Sequence, residues 1–237
     1  MSRLFSHNTL IVSFLLFLLY AIVMRVPSYS TPVWKNIGPG GGGWVPCITV
    51  SPVNSNIVYA GCDVGGFYRS TDSGANWKIC NTGLHDYYIE VITPHPKDPN
   101  VIYIGTQSGV HKSTNGGKTW TLMRDGFPEQ DQYSYSAPIG ALVIDLQQSN
   151  VLYAGIGRPR SNDCGKGAIY KSTDNGLHWQ LVNPDGGGMD KSAVVNDLMV
   201  SPVSSKCLFA ATSKGLYRSD DSGVSWMHLD DGLPNSR

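Results

Sequence analysis

The carboxylate of Asp63 is the side chain in this sequence with the strongest case for chemistry. It stands at the end of an apolar strand and precedes Gly65 and Gly66, which would let a ligand approach the backbone closely. The equivalent positions of two other repeats hold Gln107 and Lys214, so the scaffold does not require an acid here. A carboxylate in such a loop can serve as a general base. The alternative is an aspartate that caps a tight glycine-rich turn.

Four tyrosines are predicted to share a face of the molecule with Asp63. They lie in segments that link neighbouring repeats and are Tyr87, Tyr88, Tyr133 and Tyr135. An aromatic face can stack on the C–H side of a sugar ring, so tyrosines with a few acids favour a glycan ligand. The alternative is that these rings pad the loops against the scaffold.

The elements that position these residues are indicated by a repeated motif, Ser-x-Asp/Asn-x-Gly-x-x-Trp, which occurs in four copies. Repeats at a spacing of several tens of residues indicate a solenoid or a propeller. The Asp or Asn can bond backbone N–H groups of its own turn, the Gly supplies positive φ, and the Trp packs between repeats. We interpret the motif as structural, because a calcium loop needs a denser run of oxygen ligands. The motif residues are Ser70, Asp72, Gly74, Trp77, Ser113, Asn115, Gly117, Trp120, Ser172, Asp174, Gly176, Trp179, Ser219, Asp221, Gly223 and Trp226.

Each repeat reads as four short strands bounded by turn residues, which indicates an all-β protein. Four antiparallel strands per repeat form one blade of a β-propeller. The predicted propeller domain spans residues 31–237. Its blades are expected at about residues 44–80, 89–123, 138–183 and 195–229.

The segment 33–38 resembles the outer strand of a blade and has no inner strands before it. In propellers of this kind such a leading strand completes the last blade, yet the fourth repeat already has an outer strand that starts at Trp226. The sequence therefore predicts four blades of a larger propeller, as a truncated gene product would give. The alternative is a complete four-bladed ring, since propellers have 4–8 blades.

The N-terminal residues 1–30 are predicted to be a secretory signal peptide. Arg3 precedes an apolar run at 10–24, which is short for a membrane span of about 20 residues, and small residues follow at 28–30. We therefore expect export, to the periplasm or the extracellular space, with a membrane partner only if this segment stays uncleaved. Basic and acidic residues balance at 18 each, so charge does not suggest a nucleic-acid partner.

Cys47 and Cys62 flank the turn around residues 52–56 and come almost opposite each other if that turn closes a hairpin. A disulfide between them is possible, and two buried free thiols are the alternative. The six histidines show no zinc-type spacing, so neither a metal nor a cofactor is expected.

The repeated motif resembles the Asp box, or BNR repeat, of sialidases, sortilin-type receptors and several propeller glycosidases. The first repeat is similar, more narrowly, to the start of glycoside hydrolase family 74 over the segments 34–37, 40–45 and 58–69. This resemblance implies endo-glucanases that act on xyloglucan and consist of two seven-bladed propellers with the substrate cleft between them. It implies that Asp63 is the general base of an inverting hydrolysis. The family's general acid comes from the second propeller and has no counterpart in this sequence, so we expect the chain to be inactive alone.

Two functions follow from these observations. The first is a fragment or relative of an exported inverting glycoside hydrolase that acts on β-glucan or xyloglucan-type polysaccharide. The second is a non-catalytic exported propeller that binds polysaccharide or protein. A sialidase is disfavoured because its arginine motif ahead of the first box is absent, and a sortilin-like receptor because its cysteine-rich module is missing.

Overall fold

The structure is a computed structural model that describes residues 43–129, 137–157 and 167–229. All of these residues belong to one compact unit. The predicted signal peptide, the predicted outer strand at 33–38, Tyr133 and Tyr135 lie outside the described residues.

Sixteen strands form four separate antiparallel sheets, each with its strands in sequence order from inside to outside. We number the sheets as blades in chain order. Blade 1 contains β1 (Cys47–Val50), β2 (Val58–Gly61), β3 (Phe67–Ser70) and β4 (Lys78–Ile79), and blade 2 contains β5 (Ile89–Pro94), β6 (Ile102–Thr106), β7 (Gly109–Ser113) and β8 (Thr121–Met123). Blade 3 contains β9 (Ile139–Ile144), β10 (Leu152–Ile156), β11 (Ile169–Ser172) and β12 (Gln180–Leu181), and blade 4 contains β13 (Val195–Ser201), β14 (Ser204–Thr212), β15 (Gly215–Ser219) and β16 (Met227–Leu229). The predicted all-β propeller with four-stranded blades is confirmed.

The antiparallel order gives the propeller two structurally distinct faces. On one face lie the turns between the third and fourth strands, which carry the repeated motif; we call these the box turns and this side the box face. On the other face lie the loops between the second and third strands and the starts of the first strands; we call it the loop face.

The innermost strands of successive blades pack against one another, β1 on β5, β5 on β9 and β9 on β13. Each blade buries an apolar side chain against the blade before it. Ile92, Leu142 and Leu198 occupy the same register position and are 5–6% exposed, whereas Ile48 at that position in blade 1 is 67% exposed. Blade 1 therefore lacks a preceding blade within the described residues, as an incomplete propeller would.

The four box turns use the same hydrogen bonds. In each, the serine hydroxyl donates to the side-chain oxygen of the Asp or Asn at 2.7–3.0 Å and accepts from the glycine N–H at 2.9 Å. The same Asp or Asn oxygen accepts the N–H four residues later at 2.8–3.0 Å. The glycines have φ between +84° and +90°, which only glycine adopts without strain.

The box tryptophans join neighbouring blades. The backbone N–H groups of Trp120, Trp179 and Trp226 donate to carbonyls of the link from the preceding blade, at Thr82, Asp125 and Gly187. The indole N–H of Trp120 also donates to the Cys80 carbonyl at 2.9 Å. These three rings are buried, whereas Trp77 of blade 1 is only partly buried.

Candidate functional site

Asp63 lies in the loop between β2 and β3, on the loop face and therefore at the opposite end of blade 1 from the box turn. Its N–H donates to the Trp44 carbonyl at 3.0 Å, and the N–H of Cys62 donates to the Gly66 carbonyl at 2.9 Å. The Cys62 carbonyl accepts the N–H of Ile89 at 3.0 Å. Backbone hydrogen bonds thus fix the loop to the segment before β1 and to the start of blade 2.

The carboxyl group of Asp63 packs on the backbone of Gly43. Gly43 has φ +90°, and a Cβ at this position would collide with Asp63 Oδ1. Oδ1 is buried and finds no hydrogen-bond partner in the described part of the chain, while the residue as a whole is half-buried.

The turn that Asp63 could have capped is held by a different residue. Asn81 accepts the N–H of Phe67 at Oδ1, 2.8 Å away, and its Nδ2 donates to the Gly65 carbonyl at 2.9 Å. Asn183 makes the equivalent pair of bonds in blade 3, from Ile169 and to Gly167. The Asp63 side chain makes no such bond within the described residues, so the alternative of a turn-capping aspartate loses its support.

Packing within this chain explains why both residues 65 and 66, which follow Asp63, are glycines. A Cβ on Gly65 would meet the ring of Tyr68, and Gly66 has φ +79° and lies against the Asn81 side chain. The space beside each Cα is therefore filled by this chain, and contact of Gly65 or Gly66 with a ligand stays a prediction.

A pocket of about 160 Å³ opens on the loop face where the first strands converge. Blades 2, 3 and 4, the link before blade 2 and the segment before β1 contribute to it. Its lining residues are Trp44, Tyr88, Glu90, Gly140, Val195 and Asn196. Trp44, whose carbonyl holds the Asp63 loop, is 62% exposed. We call this the axial pocket.

The sequence predictions and the axial pocket overlap only in part. Tyr88 lines the pocket, and its N–H donates to Asp86 Oδ1 at 2.9 Å. Tyr87 is exposed and is not among the lining residues, so its role in binding stays a prediction. Trp44 and Glu90 were missed as site residues. Trp44 carried a signal, because an aromatic residue directly precedes the first strand, but nothing in the sequence shows which way Glu90 points.

The possible disulfide between Cys47 and Cys62 is not formed, and both thiols are free. Cys47 pairs with Gly61 in the ladder, so Cys62 is one residue out of register and its side chain leaves the opposite face of the sheet. Cys47 packs beside Ile89, whereas Cys62 packs with Ala60 and Tyr68. Burial raises the pKa of the Cys47 thiol to about 12, so it is a poor nucleophile.

A second titratable group lies buried beside the loop face. His111 occupies the β7 position at which the other blades carry Tyr68, Tyr170 and Tyr217. Its Nε2 accepts the backbone N–H of His85 at 3.3 Å. Burial, and secondarily the charge of His85, lower the pKa of His111 to about 3.

The described residues contain neither a cluster of metal-ligating side chains nor a helix that could span a membrane. Across 43–129, 137–157 and 167–229, no three His, Cys, Asp or Glu side chains cluster as metal ligands would. Within the same ranges, no helical segment could cross a lipid bilayer.

Several curated proteins that this chain resembles are xyloglucanases. The chain is 27% identical to a xyloglucanase of Hypocrea jecorina over 208 residues, which cover 85% of this chain and 20% of that protein. It is 28% identical to a xyloglucanase of Acetivibrio thermocellus over 229 residues, which cover 81% of this chain and 26% of that protein. The chain thus spans about a quarter or less of the length of these relatives.

The solved structures agree on the fold. The crystal structure of an ancestral enzyme of glycoside hydrolase family 74 matches with a TM-score of 0.68 at 24% identity, over 86% of this chain and 26% of that one. The family model described as "Sortilin-Vps10: Sortilin, neurotensin receptor 3" matches residues 65–189, just over half of the chain. That family is a propeller family, and the matched residues run from blade 1 to the link that follows blade 3. The chain therefore belongs to the Sortilin-Vps10 family of β-propellers and is related, over most of its length, to one part of the xyloglucanases.

Proposed function

We propose that the loop face binds a xyloglucan-type β-glucan and that Asp63 is the general base of an inverting hydrolysis. The observation that carries the proposal is the position of Asp63. It stands on the loop face, does not cap its own turn, and is fixed by a backbone bond to Trp44, which lines the axial pocket. The xyloglucanase relatives supply the substrate class.

Of the two carboxylate oxygens of Asp63, we infer that Oδ2 is the base. Oδ1 is buried against Gly43, so Oδ2 would take the proton from the attacking water. Inversion needs a second carboxyl group about 6.5–9.5 Å away, which protonates the leaving oxygen while the water enters from the other side of the sugar. By resemblance that acid belongs to a second propeller.

A substrate that needs no acid tests this directly. The dinitrophenyl β-glycoside of cellotriose releases a stable phenolate without protonation, so a base alone suffices. We expect the wild-type chain to release dinitrophenolate above the buffer rate with an α-configured sugar product. Asp63→Asn should reduce that rate by about 10²-fold or more, because the base is lost. Xyloglucan itself should stay uncleaved by both.

Asp220→Asn is the matched control. Asp220 is an exposed acid at the edge of blade 4, where it pairs with Arg218 at 2.8 Å. This variant should release the phenolate at the wild-type rate. Equal release by wild type and Asp63→Asn would remove the base assignment, as would retention of the anomeric configuration.

A non-catalytic propeller that binds polysaccharide is the second candidate. It is favoured by the axial pocket, whose exposed Trp44 ring could hold a sugar without any reacting group. Binding of xyloglucan oligosaccharides with no phenolate release above buffer would select this function.

We also infer export from residues 1–30. Mass spectrometry of the mature protein should find an N-terminus near residue 30 and the protein outside the cytoplasm. A cytoplasmic protein with an intact N-terminus would overturn this inference.

A further inference from the structure

The first strands of blades 2, 3 and 4 share an irregularity near the loop face. In each, the ladder skips one residue: Glu90 between Ile89 and Val91, Gly140 before Ala141, and Asn196 between Val195 and Asp197. A β-bulge of this kind leaves the extra residue unpaired and re-aims its side chain.

The three skipped residues meet in the axial pocket. Glu90, Gly140 and Asn196 all line it, together with Trp44, Tyr88 and Val195. The bulges therefore turn one residue of each of these three blades toward the pocket. Glu90 supplies a carboxylate and Asn196 an amide, while the Cα of Gly140 packs against Gly157 and the Val195 carbonyl.

Among the described residues that line the pocket, Glu90 alone carries a formal charge. Gln107 Nε2 donates to Glu90 Oε1 at 3.2 Å, and Gln107 is itself buried. The carboxylate is thus fixed in place on one side of the pocket, while the exposed indole of Trp44 offers a flat apolar surface. An aromatic plane combined with a fixed acceptor and an amide suits a ring that has both C–H faces and hydroxyl groups.

We propose that the axial pocket is a subsite for one pyranose ring, which stacks on Trp44 and donates hydroxyl hydrogen bonds to Glu90. The volume of about 160 Å³ is roughly that of five waters in the liquid, which a single sugar ring would displace. The side-chain amide of Asn196 can both donate to and accept from the hydroxyl groups of the ring. The proposal rests on the proposed glycan-binding function and adds Glu90 and Trp44 as binding residues, distinct from the reacting group Asp63.

Isothermal titration of the full chain with a xyloglucan heptasaccharide tests the subsite. We expect Trp44→Ala and Glu90→Gln each to weaken binding by about tenfold, since one lost stack or charged hydrogen bond has that order of effect. Asp63→Asn should bind within about twofold of wild type, because a base that acts on water adds little ground-state affinity. Val203→Ala, at an exposed box-face turn, is the control and should change nothing.

Tryptophan fluorescence separates stacking from a structural effect. The sugar should shift the emission of the wild type toward the blue, and Trp44→Phe should lose that shift yet keep affinity, because phenylalanine still stacks. Wild-type affinity in both Trp44→Ala and Glu90→Gln would overturn the subsite, and so would absence of binding by the wild type at millimolar sugar. Binding of tetramethylammonium in place of the sugar, with the same variants impaired, would instead identify an aromatic cage for cations and also overturn it.

Failure of the subsite and failure of the proposed reaction are distinguishable. If dinitrophenolate release depends on Asp63 but is unaffected by Trp44→Ala, Asp63 stands as the base and the subsite hypothesis is wrong. If heptasaccharide binding depends on Trp44 and Glu90 but no dinitrophenolate is released, the subsite stands and the assignment of Asp63 as the base is wrong.

Discussion

On the box face the four turns repeat one set of hydrogen bonds, whereas on the loop face equivalent positions carry different side chains with different partners. Asp72, Asn115, Asp174 and Asp221 each accept the N–H four residues later. On the loop face the ladder register places Gln107 of blade 2 at the position of Asp63, where it donates to Glu90. In blade 4 the register places Ser213 there, not the Lys214 expected from the sequence, and its hydroxyl accepts the Val194 N–H. A position that must close a turn cannot vary, while a position freed from that duty is available for binding. We therefore expect substitutions on the box face to act on stability and those at the axial pocket to act on ligands.

The largest effect should come from a box tryptophan. Trp120→Ala removes a buried ring that contacts Phe67 edge-to-face at 4.7 Å and donates to the Cys80 carbonyl. We expect a loss of about 3–5 kcal/mol in the free energy of unfolding, measured in urea. Trp77→Ala, in the partly buried position of blade 1, should cost clearly less. Equal losses would mean that the rings do not stabilise by packing between blades.

Acid should change the free energy of unfolding through a different histidine on each side of the molecule. Burial holds the pKa of His111 near 3, below the 6.5 of an unfolded chain, so the unfolded state takes up a proton that the folded state refuses. Stability is then full above pH 6.5 and falls toward pH 3, by up to about 1.4 kcal/mol per pH unit. His111→Gln should flatten this slope between pH 6.5 and 4 in urea titrations.

His178 on the box face provides the opposite sign. The side-chain hydrogen bond to Asp174 raises the pKa of His178, so its contribution is present at low pH and is lost as pH rises through that pKa. His178→Gln should therefore keep the acid slope of the wild type and make it slightly steeper, because the opposing contribution is lost. If stability were independent of pH in His178→Gln but still fell with acid in His111→Gln, the acid sensitivity would have to be assigned to His178 instead of His111.

A smaller effect is expected from a single box hydroxyl. Ser172→Ala removes one donor to Asp174 and one acceptor for the Gly176 N–H, which is buried. We expect a loss of about 1–2 kcal/mol, since an unsatisfied buried N–H carries that cost. Ser192→Ala is the control, because its hydroxyl bonds Asp190 at an exposed site and should cost under about 0.5 kcal/mol. Equal losses would show that the box hydroxyl has no special structural role.

The sequence contains the information for the blades but only part of that for the site. The period, the turn residues and the glycines of the motif give the strand order, because each constraint is local. The bulges at Glu90 and Asn196 depend on ladder register, which a sequence pattern does not show. A register error of one residue also accounts for the expected bridge between Cys47 and Cys62, since it places the thiols on opposite sides of the sheet. Asn81 closes a turn fourteen residues earlier, a contact that no local rule finds.

The contrast between the two faces can be measured in one experiment, hydrogen–deuterium exchange of the full chain with and without a xyloglucan heptasaccharide. We expect added protection in the loop-face segments 43–46, 62–66 and 84–90, and unchanged exchange in the box turns at 71–77, 114–120, 173–179 and 220–226. Protection confined to the box turns, or an identical pattern with and without the sugar, would contradict the assignment of the loop face as the glycan-binding side.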